Sequence, residues 1–426
     1  MSVTGLITSA GWKGYMIPGH ELIAQTDATV VAKLKAAGAV IIGQTNMPDF
    51  AASDTNLSSA GGRTGNAYDW RFSPGGSSGG TVTAVASNFA VVGTGTDTGN
   101  SIRMPSATSS LVGVLPTRGL TSIAGIQPLD WLLDNTGPIA RNVTDAAIVL
   151  DVMAGEDPQD FRTKGASTKA QAGPYTKYLK TGALKGKRFG VPAFIVKESG
   201  RGLLMQPETR EAFMKSLEGL RAAGATVVFD ATILPDSFPR LVRAVNTNPY
   251  LRQGVDNFLR DFGAAEYHSV EDYERATAGS IPGYVLGIFE DDKDPLPQRV
   301  LESDPEAEKL FWGPQKAALS AYEEPLERLD LDGYVYPAIQ MPPNDETIPQ
   351  PDGEPSTGPH SWTGWVNPLG VPAIVVPGGF YSTGLPFGLE LSTRRWKDGD
   401  LLGWAFAYEQ ATKHRRAPVL VEKKEK

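Results

Sequence analysis

The run TDATVVAKLKAAGAVIIGQTN, residues 26–46, pairs a helical with an extended pattern. Val30, Val31, Leu34 and Ala37 recur at the spacing of one helix face, with Thr26 or Asp27 placed to cap it. Gly38 stops the helix, and the apolar run from Ala39 to Ile42 predicts a short buried strand. The same order returns in PETREAFMKSLEGLRAAGATVVFD, residues 207–230. VTDAAIVLDVMAG, residues 143–155, predicts an apolar helix. Late in the chain come two strand patterns, VPAIVVPGG (371–379) and FGLELST (387–393), and then a helix over 398–415. Helix alternating with buried strand predicts an α/β fold with helices covering a sheet. Residues 236 to about 325 read as mainly helical with Pro and Gly breaks, and 341–360 as a long proline-rich loop.

Length and composition narrow the classes. The 426 residues suffice for one large domain or two ordinary ones, and neither an internal repeat nor a boundary linker divides them. A net charge of −8 with no basic stripe argues against a nucleic-acid partner, and no apolar run is long enough to span a membrane. With no cysteine, disulfides, thiol catalysis and zinc–thiolate sites are excluded together. A reducing cytoplasm fits that composition.

The candidate chemistry lies in SPGGSSGGTVTAVASNFAVVGTGTDTGNSIRMPS, residues 73–106. PGGSSGG precedes the helix-like TVTAVAS, but it lacks the Gly-Lys-Ser/Thr ending of a phosphate loop. It fits the loose G-x-S-x-G pattern at Ser77 or Ser78, and it also fits a structural glycine loop. FAVVG, residues 89–93, reads as a strand leading to Thr98, Gly99, Asn100 and Ser101. A strand that ends in such a turn presents main-chain N–H groups just before a hydroxyl, the layout of a nucleophile beside an oxyanion hole.

Together, GGSSGG and GTDTGNSIRMPS resemble the amidase signature family. Residues 27–51, 136–155, 367–392 and 401–418 are similar to further family segments; the resemblance is weakest over about 161–330. It implies a single large domain over residues 1–426, with a mixed central sheet covered by helices on both faces and a helical substrate-side insertion at about 234–330. It also implies an amidase acting on a small-molecule amide, with no cofactor or metal, and it leaves a homodimer open. In the family the serine at Ser101 is the nucleophile, and the one at Ser77, after a cis peptide bond, relays its proton to a neutral lysine. Thr98, Gly99 and Asn100 would hold the oxyanion; Ser78, Asp97 and Arg103 would support the loop. Asn100 stands where many members have glycine.

The family lysine sits well upstream of the first serine, and residues 4–11 resemble the family segment shortly after that lysine. The lysine is therefore expected to precede Met1, in a chain that begins late. A true pseudoenzyme that binds a ligand, or replacement of the lysine by Lys13, are the alternatives. Lys33 and Lys35 read as solvated helix residues. His20, His268, His360 and His414 lack metal-ligand spacing, although His360 could line a pocket. The acidic run FEDDKDP, residues 289–295, lacks the order of a calcium loop. An amidotransferase A-type subunit, with partner subunits, and a histidine-dependent α/β-hydrolase are further readings.

Overall fold

Eight strands form the central sheet of the computed structural model, which describes residues 1–196, 205–289, 297–348, 359 and 361–419. They are β1 (Val92–Asp97), β2 (Val112–Leu115), β3 (Asn135–Ala140), β4 (Arg188–Val191), β5 (Thr226–Phe229), β6 (Gly333–Pro337), β7 (Ala373–Phe380) and β8 (Pro386–Ser392). Their spatial order is β1-β3-β2-β7-β8-β6-β4-β5. Pairing is antiparallel from β1 through β6 and parallel where β4 meets β6 and β5, so the sheet is mixed. The register sets Gly95 opposite Gly137 and Val114 opposite Ile374.

Both faces are covered. Along β6, Val335 packs into one apolar core, while Tyr334 and Tyr336 pack into another. Successive strand residues point to opposite faces, so one strand feeds two layers. The first layer holds α4 (Val143–Met153), α5 (Pro207–Ala222) and α10 (Asp398–Thr412). The second holds α6 (Phe238–Arg243) and α9 (Gly313–Arg328). Beyond the sheet, α7 (Leu251–Phe262) and α8 (Val270–Thr277) build a third core with Tyr15 and Phe50. Asn142 caps α4 by accepting from the Asp145 N–H at 2.8 Å. Among the described residues, no helix is long and apolar enough to cross a membrane.

The sequence patterns place most of these elements, with three corrections near the N-terminus. The first helix, α1 (Thr29–Ala36), has no side-chain cap. Asp27 instead accepts from Thr4 and pairs with Lys35 at 2.8 Å, and Ala37 is exposed. The strand expected from Ala39 to Ile42 is absent: Val40 and Ile42 are 85% and 69% exposed. Apolar, β-branched residues favour a strand, but a strand exists only when another pairs with it, and no described strand does. The strand expected at 89–93 lies at 92–97 instead, leaving Phe89 and Val91 exposed. Its glycines serve close packing. A Cβ on Gly93 would sit 2.4 Å from Thr81 Cγ2, and one on Gly95 2.7 Å from Ser78 Oγ. Residues 290–295 of the acidic run, and His360, lie outside the described residues.

Candidate active site

Strand β1 sits at one edge of the sheet and delivers the turn Thr98–Ser101 to a cleft of about 1290 Å³. Helix α3 (Arg103–Thr108) starts directly after it. The main-chain N–H groups of Thr98, Gly99, Asn100 and Ser101 make no hydrogen bond to a described residue, and all four residues line the cleft. Ser101 is 6% exposed, and its hydroxyl likewise has no described partner. A buried hydroxyl beside unbonded N–H donors can attack a carbonyl and hold the oxygen anion that forms.

The turn is fixed from beneath by a buried charge network. Asp97 accepts from the N–H of Ile102 at 3.0 Å and from Arg103 Nε at 3.1 Å. Arg103, fully buried, also donates to Glu390 Oε1 at 2.7 Å, Thr363 O at 2.9 Å, Gly99 O at 2.9 Å and Asn367 Oδ1 at 2.8 Å. Burial alone would lower the Arg103 pKa, but Asp97 and Glu390 outweigh it, so the guanidinium stays charged. Burial pushes the Glu390 carboxyl up to about 7, against the pull of Arg103. Thr98 donates its hydroxyl to Asp134, whose carboxyl burial raises to about 7. Asn100 is not in the left-handed region, and its side-chain amide donates to Asp54 Oδ1 at 3.2 Å.

The first serine cluster packs against this turn. The Gly76–Ser77 peptide bond is cis. Gly76 admits no side chain: a Cβ there would lie 2.4 Å from Thr55 O and 2.6 Å from Ser53 O. Ser78 donates its N–H to Ser101 O at 3.1 Å and its hydroxyl to Thr96 O at 3.3 Å, tying α2 (Gly79–Ala86) to the turn. Ser77 is 1% exposed, and its hydroxyl has no hydrogen-bond partner among the described residues. Direct contact between the Ser77 and Ser101 hydroxyls, which a relay requires, is thus not formed. Ser77 lines a second cavity of about 770 Å³, shared with Val40, Ile42 and Thr96.

No described lysine is bonded to Ser77. Lys13 is exposed, Lys33 donates to the Met153 and Ala154 carbonyls at the C-terminal end of α4, and Lys35 pairs with Asp27. His20 pairs with Glu266 and His414 packs on Tyr408; neither is bonded to Ser101. Sequence reasoning missed Asp54, Asp134, Thr363, Asn367 and Glu390. Only Glu390 carries a local signal, a charge inside the apolar strand FGLELS.

Comparison with known proteins matches residues 1–402 to the Amidase family. The A subunit of glutamyl-tRNA(Gln) amidotransferase from Thermosynechococcus vestitus is 33% identical over 92% of this chain and 80% of its own length. The native peptide amidase of Stenotrophomonas maltophilia superposes with a TM-score of 0.76 at 29% identity, covering 98% of this chain and 82% of its own. The corresponding A subunit from Thermotoga maritima superposes with a TM-score of 0.71 at 26% identity, covering 99% and 83%.

Proposed function

The chain belongs to the Amidase family, and from that premise we propose that it hydrolyses the carbon–nitrogen bond of a small-molecule amide through an acyl-enzyme on Ser101. The observation that carries this reading is the Ser101 hydroxyl at the cleft, on a residue 6% exposed, next to four main-chain N–H groups that bond no described residue. Ser101 Oγ attacks the carbonyl carbon and its proton passes to Ser77. The N–H groups of Thr98, Gly99 and Asn100 hold the oxyanion; losing one such donor typically lowers the rate by about 10²–10³. The carbon–nitrogen bond breaks as the leaving amine takes a proton, and water then releases the acyl group. A serine hydroxyl needs a base, and a lysine serves only when burial keeps it neutral. Ser77 lines the cavity of about 770 Å³, and a neutral lysine able to take its proton would have to reach that hydroxyl.

The test is labelling by a fluorophosphonate, which reacts with activated serines. The parent protein should take up one equivalent and Ser101→Ala none. Full labelling of Ser101→Ala would remove Ser101 from the nucleophile's place.

A second reading is the A subunit of an amidotransferase, favoured by the relatives of that name at about one-third identity. It would release ammonia to a partner subunit, so co-purification of further subunits with the native protein distinguishes it. An inactive binding protein would give neither labelling nor turnover.

A further inference from the structure

The cleft that holds Ser101 offers a ligand hydrocarbon. Leu57, Leu129, Leu251, Tyr284 and Phe289 line it together with the turn Thr98–Ser101. Leu57 and Phe289 are 48% and 38% exposed, so each keeps apolar surface that a ligand can still bury. Single exposed apolar residues are ordinary on a protein surface, whereas several on the wall of one cleft mark a binding groove. Leu57 and Ser58 pair with Gly62 and Arg63 in a short hairpin, and alternation along it buries Ser58 and leaves Leu57 exposed. Asn56, one residue earlier, packs against Gly79, two residues after Ser77: a Gly79 Cβ would lie 2.7 Å from Asn56 Cβ. Leu57 therefore leaves the backbone close to the serine cluster. Tyr284 and Phe289 come from one turn, closed by the Ile288 N–H on the Gly283 carbonyl at 2.8 Å. The Tyr284 hydroxyl reaches the Asp49 carbonyl at 3.5 Å and its ring stands edge-on to Phe50, which fixes the ring.

Polar side chains of the same lining are engaged within the protein. Asp49 accepts from the Ser59 N–H at 2.7 Å, and Ser58 donates to Asn46 Oδ1 at 2.7 Å. Asp130 accepts from the Leu132 N–H at 3.1 Å and from the Thr247 hydroxyl, and Asn100 donates to Asp54 at 3.2 Å. A volume of about 1290 Å³ far exceeds that of an amide group, which leaves the apolar wall to hold what the amide carries. The acyl group stays on Ser101 through attack and release, while the amine departs between them, so a wall beside Ser101 acts on the acyl side in both steps.

We propose that this cleft selects amides whose carbonyl carries an uncharged hydrocarbon chain, and that Leu57 and Phe289 determine that selectivity by covering the chain. The inference deepens the hydrolase reading and rests on it for the place of the carbonyl.

The test compares hexanamide with acetamide and with N-butylacetamide, an isomer of hexanamide that carries its chain on nitrogen. Two readouts are taken for each: kcat/KM for amide hydrolysis, and affinity for the Ser101→Ala protein by ligand-detected NMR. Each methylene taken out of water multiplies binding about fourfold. Covering about two of the added methylenes should therefore favour hexanamide over acetamide by about tenfold or more. In Leu57→Ala and in Phe289→Ala that ratio should fall about threefold, and in the double variant to about twofold; effects on both amides alike cancel in the ratio. Phe89→Ala, on the wall of the cavity of about 770 Å³ instead, should leave it unchanged. A parent ratio near one overturns the proposal whether or not the variants fold. So does a ratio unchanged in the folded double variant, a ratio lost in Phe89→Ala alone, or an affinity for N-butylacetamide equal to that for hexanamide. If no amide is turned over but the affinity ratio appears and is lost in the double variant, the proposal stands and the hydrolase reading falls. Turnover without preference for the longer acyl chain would sustain the hydrolase reading and overturn the proposal.

Discussion

Replacing Arg103 by methionine should destabilise the protein by about 4 kcal/mol, because removing one partner of a buried ion pair leaves the other charge uncompensated. The two carboxylates would not suffer equally. Asp97 keeps the N–H groups of Ile102 and Arg103 and the Asn367 side chain. Among the described residues Glu390 keeps only the Tyr336 hydroxyl at 3.0 Å, and its Oε2 has no partner even in the parent structure. Unfolding entropy of about 2.1 cal/mol/K per residue over 426 residues gives about 0.9 kcal/mol/K. The expected fall in Tm is therefore about 4–5 °C, read by scanning calorimetry. The sign of its pH dependence comes from Glu390. Its folded pKa, about 7, lies above the ordinary glutamate value of 4.5, so its neutral form favours the fold at low pH and that benefit fades as pH rises through 7. Without Arg103 the folded value rises further. The deficit of Arg103→Met should thus be small near pH 5 and largest near pH 8, and Arg103→Met/Glu390→Gln should recover at least half of it at pH 8. A single variant within about 1 °C of the parent at pH 8, or a deficit constant across that range, would refute the reasoning.

Two further outcomes can be checked. Gly388→Ala places a Cβ 2.5 Å from Ala107 Cβ and 2.6 Å from its Cα, where β8 meets α3 behind the nucleophile; the expected loss is about 1–3 kcal/mol, and an unchanged Tm would show that the helix can retreat. Asp134, with a folded pKa near 7 against an ordinary aspartate value of 3.8, should lower parent stability as pH rises between those values. Asp134→Asn removes that slope, so the Tm of the variant minus that of the parent should climb from pH 4 to 7; a flat difference would mean Asp134 does not titrate in that window.

The linear sequence determined the helix–strand alternation, because periods of 3.6 and 2 are written locally in which residues are apolar. The elements at 143–153, 207–229, 373–392 and 398–412 were legible on that basis. The two serine clusters were legible as well, since glycine-flanked hydroxyls mark unusual turns. Pairing was decided only by the folded chain. Ala39–Ile42 has strand composition yet stays unpaired, because a strand is stabilised by its neighbour and not by its own residues. The same holds for the network under the turn. Arg103 meets Glu390 and Asn367 from more than 260 positions away, and no local pattern records such a meeting. Asp54 reaches Asn100 across 46 positions. Gly76, before Ser77, packs on the backbone of residues 53–55, where a Cβ would meet Thr55 O at 2.4 Å and Ser53 O at 2.6 Å. Sequence set which groups were available; long-range packing in a low-dielectric interior decided which of them face one another, and so which charges the cleft presents.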